Sequence, residues 1–249
     1  MDSSLLMRDV AGSRELTLNR PECRNALSRD LIRRLTAALR EAGADARVRS
    51  VIVTGTPPAF CAGLDLREVV GTTREQAERD STELLDLLET LDNLPKPVIA
   101  AVNGPAVAGG AGLASVCDLV LCAESAVIGY TEVKRGLIAA IVMSYLRRLV
   151  GERQAKFLLL TGQSVSARRA VEIGLATEVV ADAELPGRAR FYAEMFAACA
   201  AGPLAQTKAF WSRIRSLPHD QAAEEGRRLN ADMRLAQESQ AGASTFLKR

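Results

Sequence analysis

Two small-residue segments carry most of the chemical information in this 249-residue chain. The first is Phe60-Cys61-Ala62-Gly63-Leu64-Asp65-Leu66. The second is Gly104-Pro105-Ala106-Val107-Ala108-Gly109-Gly110-Ala111-Gly112. Each follows an apolar run that reads as a strand, and each opens a helix. A strand feeding a tight turn leaves backbone N–H groups unpaired at the helix start, where the dipole adds partial positive charge. Two such turns converging on one carbonyl oxygen would form an oxyanion hole. Taken singly, Gly109 and Gly110 read as close helix–strand packing. A proton carrier must stand beside such a carbonyl. The one histidine, His219, follows Pro218 in a predicted loop. That disfavours a Ser–His or Cys–His nucleophile and a His-based metal site. Acid–base chemistry therefore falls to a carboxylate.

The elements that must hold these turns follow from hydrophobic periodicity. Glu15 to Asn19 alternates like a strand, and Val51 to Gly55 and Val98 to Val102 are apolar runs leading into the two turns. Ser28 is placed to cap a helix reaching Glu41, with Leu31, Ile32, Leu35, Ala38 and Leu39 on one face. Thr72-Thr73-Arg74-Glu75 fits a capping box before the stripe Leu84, Leu87, Leu88 and Leu91. Gly109 to Val116 predicts a helix buried from several sides, and Leu119 to Cys122 a further strand. A helical stretch runs from about Ile138 to Val150, and Ser166 caps another ending before Gly174. Val179-Val180 closes the strands. Beyond Leu185 the pattern is wholly helical, punctuated by Pro203 and Pro218. The expected organisation is an α/β core with the active site over 1–184 and a C-terminal helical oligomerisation region over 185–249.

Composition limits the function classes. With a net charge of +2 and 4% aromatic residues, the chain lacks the basic, aromatic-interleaved surface of a nucleic-acid binder. No apolar run is long enough for a membrane span, and the first residues lack the pattern of a secretion signal. A cytoplasmic location is expected. The five cysteines, without CxxC spacing, read as reduced thiols.

Five segments, in order and spanning nearly the whole chain, resemble the crotonase (enoyl-CoA hydratase/isomerase) superfamily. They are Leu18-Asn19-Arg20-Pro21 with Arg24-Asn25-Ala26-Leu27, the Phe60–Leu66 turn, and Pro97 to Gly104 running into Gly109-Gly110. Cys117-Asp118-Leu119, and Leu160-Thr161-Gly162 with Ala170, Gly174 and Leu175, complete the set. The resemblance implies a crotonase-like α/β spiral of ββα units and a homotrimer or a hexamer made of two trimers. It also implies an acyl-CoA substrate, with coenzyme A part of that substrate and no separate cofactor or metal.

The resemblance assigns the oxyanion donors to the N–H groups of Leu64 and Gly109, where a Cβ would crowd the thioester. Two-carboxylate hydratases of this family place one Glu two residues beyond the glycines and another about twenty further on. The first position here is Gly112; the second is Glu132, taken as the catalytic acid/base. Substrate and CoA contacts are expected from Arg24, Ala26, Ala62, Asp65, Leu66, Gly110, Tyr130, Phe246 and Lys248, with Arg249 beside the last. Asp65 also reads as a helix cap, and Tyr130 as a residue lining the acyl pocket. Lys134 and Arg135 read as a solvated face or a subunit contact; they could also lower the Glu132 pKa or meet a substrate carboxylate. The expected activity is hydration of a 2-enoyl-CoA. A double-bond shift, for which one Glu suffices, and a silent acyl-CoA-binding relative are the alternatives. Single-Glu patterns resemble those of isomerases and of hydratases acting on glutaconyl-type substrates.

Overall fold

The computed structural model describes residues 3–248. A hairpin of β1 (Leu5–Val10) and β2 (Ser13–Leu18) opens the chain, followed by α1 (Arg29–Ala44) and β3 (Ser50–Gly55). Next come α2 (Leu66–Val69), α3 (Arg74–Asp92), β4 (Val98–Val102), β5 (Ala106–Val107) and α4 (Gly109–Ser115). Then follow β6 (Leu119–Ala123), β7 (Val127–Gly129), α5 (Ala140–Thr161), β8 (Ser164–Ser166), α6 (Ala167–Glu172) and β9 (Glu178–Val180). Helices α7 (Leu185–Ala198), α8 (Ala201–Ile214), α9 (His219–Leu235) and α10 (Gln237–Leu247) complete it.

Two sheets organise these elements. The larger has the order β1-β2-β3-β4-β6-β9 and is parallel apart from the first hairpin. The smaller has the order β5-β7-β8. The chain visits the large sheet, crosses to the small one and returns by a helix: β4-β5-α4 leads back to β6, while after β6-β7 helix α5 leads to β8 of the small sheet and α6 returns the chain to β9. On the pass from β3, Cys61 makes a single parallel bridge to Ala106 of β5. These ββα passes form the expected spiral. Central parallel strands are covered on both faces, which is why Val51-Ile52-Val53 and Val98 to Val102 are unbroken apolar runs.

Local signals are mostly realised where they were read. Ser28 caps α1 by accepting the Leu31 N–H at 3.2 Å. The α3 cap moves by one residue. Thr73 accepts the Gln76 N–H at 3.2 Å, because the Thr72 N–H closes the preceding turn onto the Val69 carbonyl. The stretch predicted near Ile138–Val150 extends through α5 to Thr161 and breaks at Gly151, whose φ of 72° and ψ of 166° are not helical. Strand β1 and the short strands β7 and β8 carry too little alternation to be read from sequence.

The helical region after residue 184 is not uniform. Helix α7 covers the large sheet, burying Leu185, Ala189 and Ala193. Helices α8, α9 and α10 bury no residue completely. Polar latches hold α8 instead: Lys208 pairs with Asp118 at 2.6 Å and Arg215 with Asp92 at 2.6 Å. Among the described residues no helix is long and apolar enough to cross a membrane.

Candidate active site

The first turn is held by Asn25. This buried residue sits at φ 57°, a conformation Asn adopts more readily than most. Its Nδ2 donates to the carbonyls of Thr56 and Ala59 at 2.8 and 2.7 Å, and its Oδ1 accepts from the Arg20 N–H at 2.9 Å. The Ala62 N–H donates to Arg24 O and the Asp65 N–H to Leu27 O. Between them, the Leu64 N–H has no acceptor among the described residues. Gly63 has a φ of +84°, and a Cβ there would stand 2.8 Å from Ala108 Cβ and 2.9 Å from Gly109 N. The two turns are therefore in direct contact.

The second turn passes through Ala108 at φ 52°, ψ −127°, a region glycine favours. Such strain costs about 1–3 kcal/mol and persists only where the surroundings enforce it. Here the Ala108 N–H donates to Gly129 O at 2.8 Å, and its carbonyl accepts the Gly112 N–H at 3.1 Å. Helix α4 then starts at Gly109, whose N–H also lacks an acceptor among the described residues. A Cβ on Gly109 would lie 3.5 Å from Gly63 Cα and 3.7 Å from Leu64 N, both ordinary contacts. Any crowding at Gly109 is thus not with the protein. Gly110 is different. A Cβ there would fall 2.3 Å from Cys61 O. This corrects its expected place at the substrate: Gly110 lets α4 press against the first turn.

Both turns border a cavity of about 390 Å³. Ala26, Ala62, Leu64 and Leu66 line it on the first-turn side, and Ala108 and Gly109 on the second. The opposite wall is the 3₁₀ turn Glu132–Arg135, ended by Gly136 at φ 71°, together with residues 137–142 leading into α5. Glu132 is half-buried and, among the described residues, is the one carboxylate in that lining. Its Oε2 is buried without a hydrogen-bond partner among the described residues. Burial pushes its pKa up; the Arg135 charge acts in the opposite direction.

What occupies the place of a side chain at 112 is Val142. A Cβ on Gly112 would lie 2.3 Å from Val142 Cγ1, and Val142 is itself buried and lines the cavity. A β-branched side chain in a helix has essentially one rotamer, so it cannot swing aside. No sequence signal pairs these residues, which meet only because α4 packs on α5.

Other expected site residues lie outside the cavity lining. Tyr130 does not line the cavity. It is 1% exposed, and its hydroxyl lies 2.5 Å from Ser115 Oγ in the core. Asp65 is the α2 cap and an ion-pair hub: Arg67 Nη2 and Arg20 Nη2 reach it at 2.7 and 2.9 Å. Arg67, then Arg20, hold its carboxyl well below the usual carboxylate range, so it has no proton to trade near neutrality. Arg24 is exposed and outside the cavity lining, contributing its carbonyl to the first turn. Phe246 is 78% exposed, and neither it nor Lys248 borders the cavity. Arg249 lies outside the described residues. Cys61 is fully buried, with its thiol pushed up to about 12 by desolvation, so it is not a nucleophile.

The sequence profile of enoyl-CoA hydratase/isomerase matches residues 10–249. The chain belongs to the enoyl-CoA hydratase/isomerase family. It is 47% identical over 194 residues to a Thermus thermophilus protein named "Putative enoyl-CoA hydratase", covering 77% of each chain. The crystal structure of an enoyl-CoA hydratase from Mycobacterium smegmatis superposes with a TM-score of 0.95 at 32% identity, over 99% of this chain and 97% of that one. An enoyl-CoA hydratase from Bacillus anthracis gives a TM-score of 0.93 at 31% identity, over 99% and 96%. The crotonase fold is thus shared along essentially the whole chain.

Proposed function

We propose that this family member hydrates a 2-enoyl-CoA thioester. One observation carries the reading: a half-buried carboxylate whose Oε2 has no partner among the described residues borders the same cavity as two backbone N–H groups that lack acceptors among them. The thioester oxygen accepts from the Leu64 and Gly109 N–H groups. Water adds its oxygen to the β-carbon while Glu132 takes one of its protons, and negative charge moves onto the thioester oxygen. Glu132 then returns the proton to the α-carbon. Atoms balance, and one carboxylate serves both steps. Its raised pKa suits a group that must give back the proton it takes. Each oxyanion donor is worth about 3–4 kcal/mol of barrier in comparable sites. Coenzyme A enters as part of the substrate.

A specific observation supports a second reading, the double-bond shift. Residue 112 is Gly, with Val142 filling the space beside it, and among the described residues Glu132 is the one carboxylate lining the cavity. One base can remove a proton from one carbon and return it to another. Exposed apolar residues on the last helices, Trp211, Leu235, Phe246 and Leu247, support association with further copies of this chain, for which the family resemblance implies a homotrimer or a pair of trimers. In such an assembly Phe246 and Lys248 could serve the CoA end of a site. Crotonyl-CoA hydration, followed by loss of the enoyl absorbance, tests the proposal. Faster turnover of a 3-enoyl-CoA than of any 2-enoyl-CoA would install the isomerase reading. Tight CoA-ester binding with no turnover would mean a silent relative.

A further inference from the structure

The carboxylate of Glu132 and the N–H of Gly109 sit on different elements, the 3₁₀ turn Glu132–Arg135 and the start of α4. Among the described residues, the hydrogen bonds of 131–137 stay inside that stretch. The Lys134 N–H donates to Thr131 O, the Gly136 N–H to Val133 O, the Leu137 N–H to Glu132 O, and Arg135 Nη1 to Thr131 Oγ1. Hydrogen bonds therefore shape the turn without tying it to the rest of the molecule. The ties lie just before it, at the end of β7. Gly129 O accepts the Ala108 N–H at 2.8 Å, next to the start of α4. The Tyr130 hydroxyl lies 2.5 Å from Ser115 Oγ, at the last residue of α4.

The direction of that second bond follows from the partners. Ser115 Oγ is 2.7 Å from Ala111 O, and a carbonyl can only accept, so the serine proton is committed there. Tyr130 is therefore the donor to Ser115. Both residues are buried, and a hydroxyl in a dry core is costly without a partner. A Phe at 130 would bury the same ring, so what the hydroxyl adds is this bond. Gly109 and Ser115 lie at opposite ends of α4, about 9 Å apart at helical rise. One tie alone would act as a pivot, whereas ties at both ends fix the helix axis against the strand end that leads into Glu132. We infer that Tyr130 is a positioning residue, whose hydrogen bond to Ser115 holds the Glu132 turn in register with the Gly109 N–H. The inference rests on the reading of Glu132 as the acid/base given above.

The test compares the wild type with Tyr130→Phe and Ser115→Ala, each of which removes one end of the bond. Tyr130→Phe should lower kcat for crotonyl-CoA hydration about 10- to 100-fold, the scale of an ångström-sized misplacement, while the affinity for butyryl-CoA stays unchanged. A purely structural role would lower Tm and affinity instead. Because the loss acts through Glu132, Tyr130→Phe should lower the residual turnover of Glu132→Gln no further. Unchanged kcat in folded Tyr130→Phe overturns the inference, as does an equally deep loss in the Glu132→Gln background. Where Glu132→Gln leaves no measurable turnover, the split between kcat and affinity decides. Should Tyr130→Phe fail to fold, Ser115→Ala carries the same comparison. If the wild type turns over neither a 2-enoyl-CoA nor a 3-enoyl-CoA, the proposed activity fails separately, and crystal structures of wild type and variant decide. A Glu132 carboxylate that stays within about 0.5 Å of its wild-type place relative to Gly109 N overturns the inference, and a larger displacement upholds it.

Discussion

The two walls of the cavity are built in opposite ways. The wall of the two turns is backbone, pinned by Asn25, by the bond from Ala108 to Gly129, and by glycines that admit no side chain. The facing wall is a short 3₁₀ turn whose residues are half-buried or exposed and whose chemistry lies in side chains. The difference teaches where specificity can vary. Every residue except proline carries a backbone N–H, so the first wall depends on shape alone: residue 64 offers its N–H to the cavity whatever its side chain, provided Gly63 and Gly110 let the turns close. The second wall depends on residue identity. Glu132 and Arg135 stand on a half-buried to exposed turn outside the strands, whereas Val142 is packed in the core against α4.

Removing the carboxylate strikes the second wall hardest. Glu132→Gln should lower kcat about 10²- to 10⁴-fold while calorimetry still detects binding of a CoA ester. Full turnover in that variant would remove Glu132 from the mechanism. Gly63→Ala attacks the first wall. The added methyl meets Ala108 Cβ at 2.8 Å in a left-handed conformation, so the turns must separate. A loss of about 10²- to 10³-fold in kcat is expected, as for a missing oxyanion donor, with a lower Tm. Unchanged kinetics would show that the turns need not touch.

The seam between the walls gives a smaller effect. Gly112→Ala should destabilise by about 1–3 kcal/mol, the usual range for overpacking, because its Cβ enters the Val142 methyl at 2.3 Å. Adding Val142→Ala should restore most of that, and additive losses in the double-mutant cycle would deny the contact. The smallest effect is in pH. Burial raises the Glu132 pKa, so the acid limb of the kcat/KM profile should lie above the ordinary Glu value of about 4.3. Arg135→Leu removes an opposing charge and should move the limb higher still. Stability has the opposite sign from an ion-paired carboxylate. With the folded pKa above the unfolded one, the folded state holds more protons between the two values, so stability falls as pH rises through that window. Glu132→Gln should therefore be the more stable protein above the window. That advantage should vanish below about pH 4, under both pKa values; a melting series across pH that runs parallel for the two proteins would contradict it.

Much of this was legible in the residues. The runs Val51 to Gly55 and Val98 to Val102 announced buried strands, Ser28 and Ser166 announced caps, and the lone His219 left a carboxylate as proton carrier. These signals are local, since a turn, a cap or a strand face is a property of neighbours in the chain. Thr72 and Thr73 show the limit of that logic. Both can cap, and the choice was made by a bond to Val69 from the preceding turn. Tyr130 and Asp65 show it again, because their partners Ser115 and Arg20 are distant in sequence.

The sequence by itself determined the fold, the two turns and the candidate carboxylate. Tertiary structure decided that Gly63 meets Ala108, that Gly110 serves packing, that Val142 fills the space at Gly112, and that Arg135 shares the cavity with Glu132. The physical reason is range. Backbone preferences and hydrophobic periodicity act over a few residues, whereas a methyl group from α5 filling a gap in α4 depends on how two helices pack, and no local pattern encodes that distance.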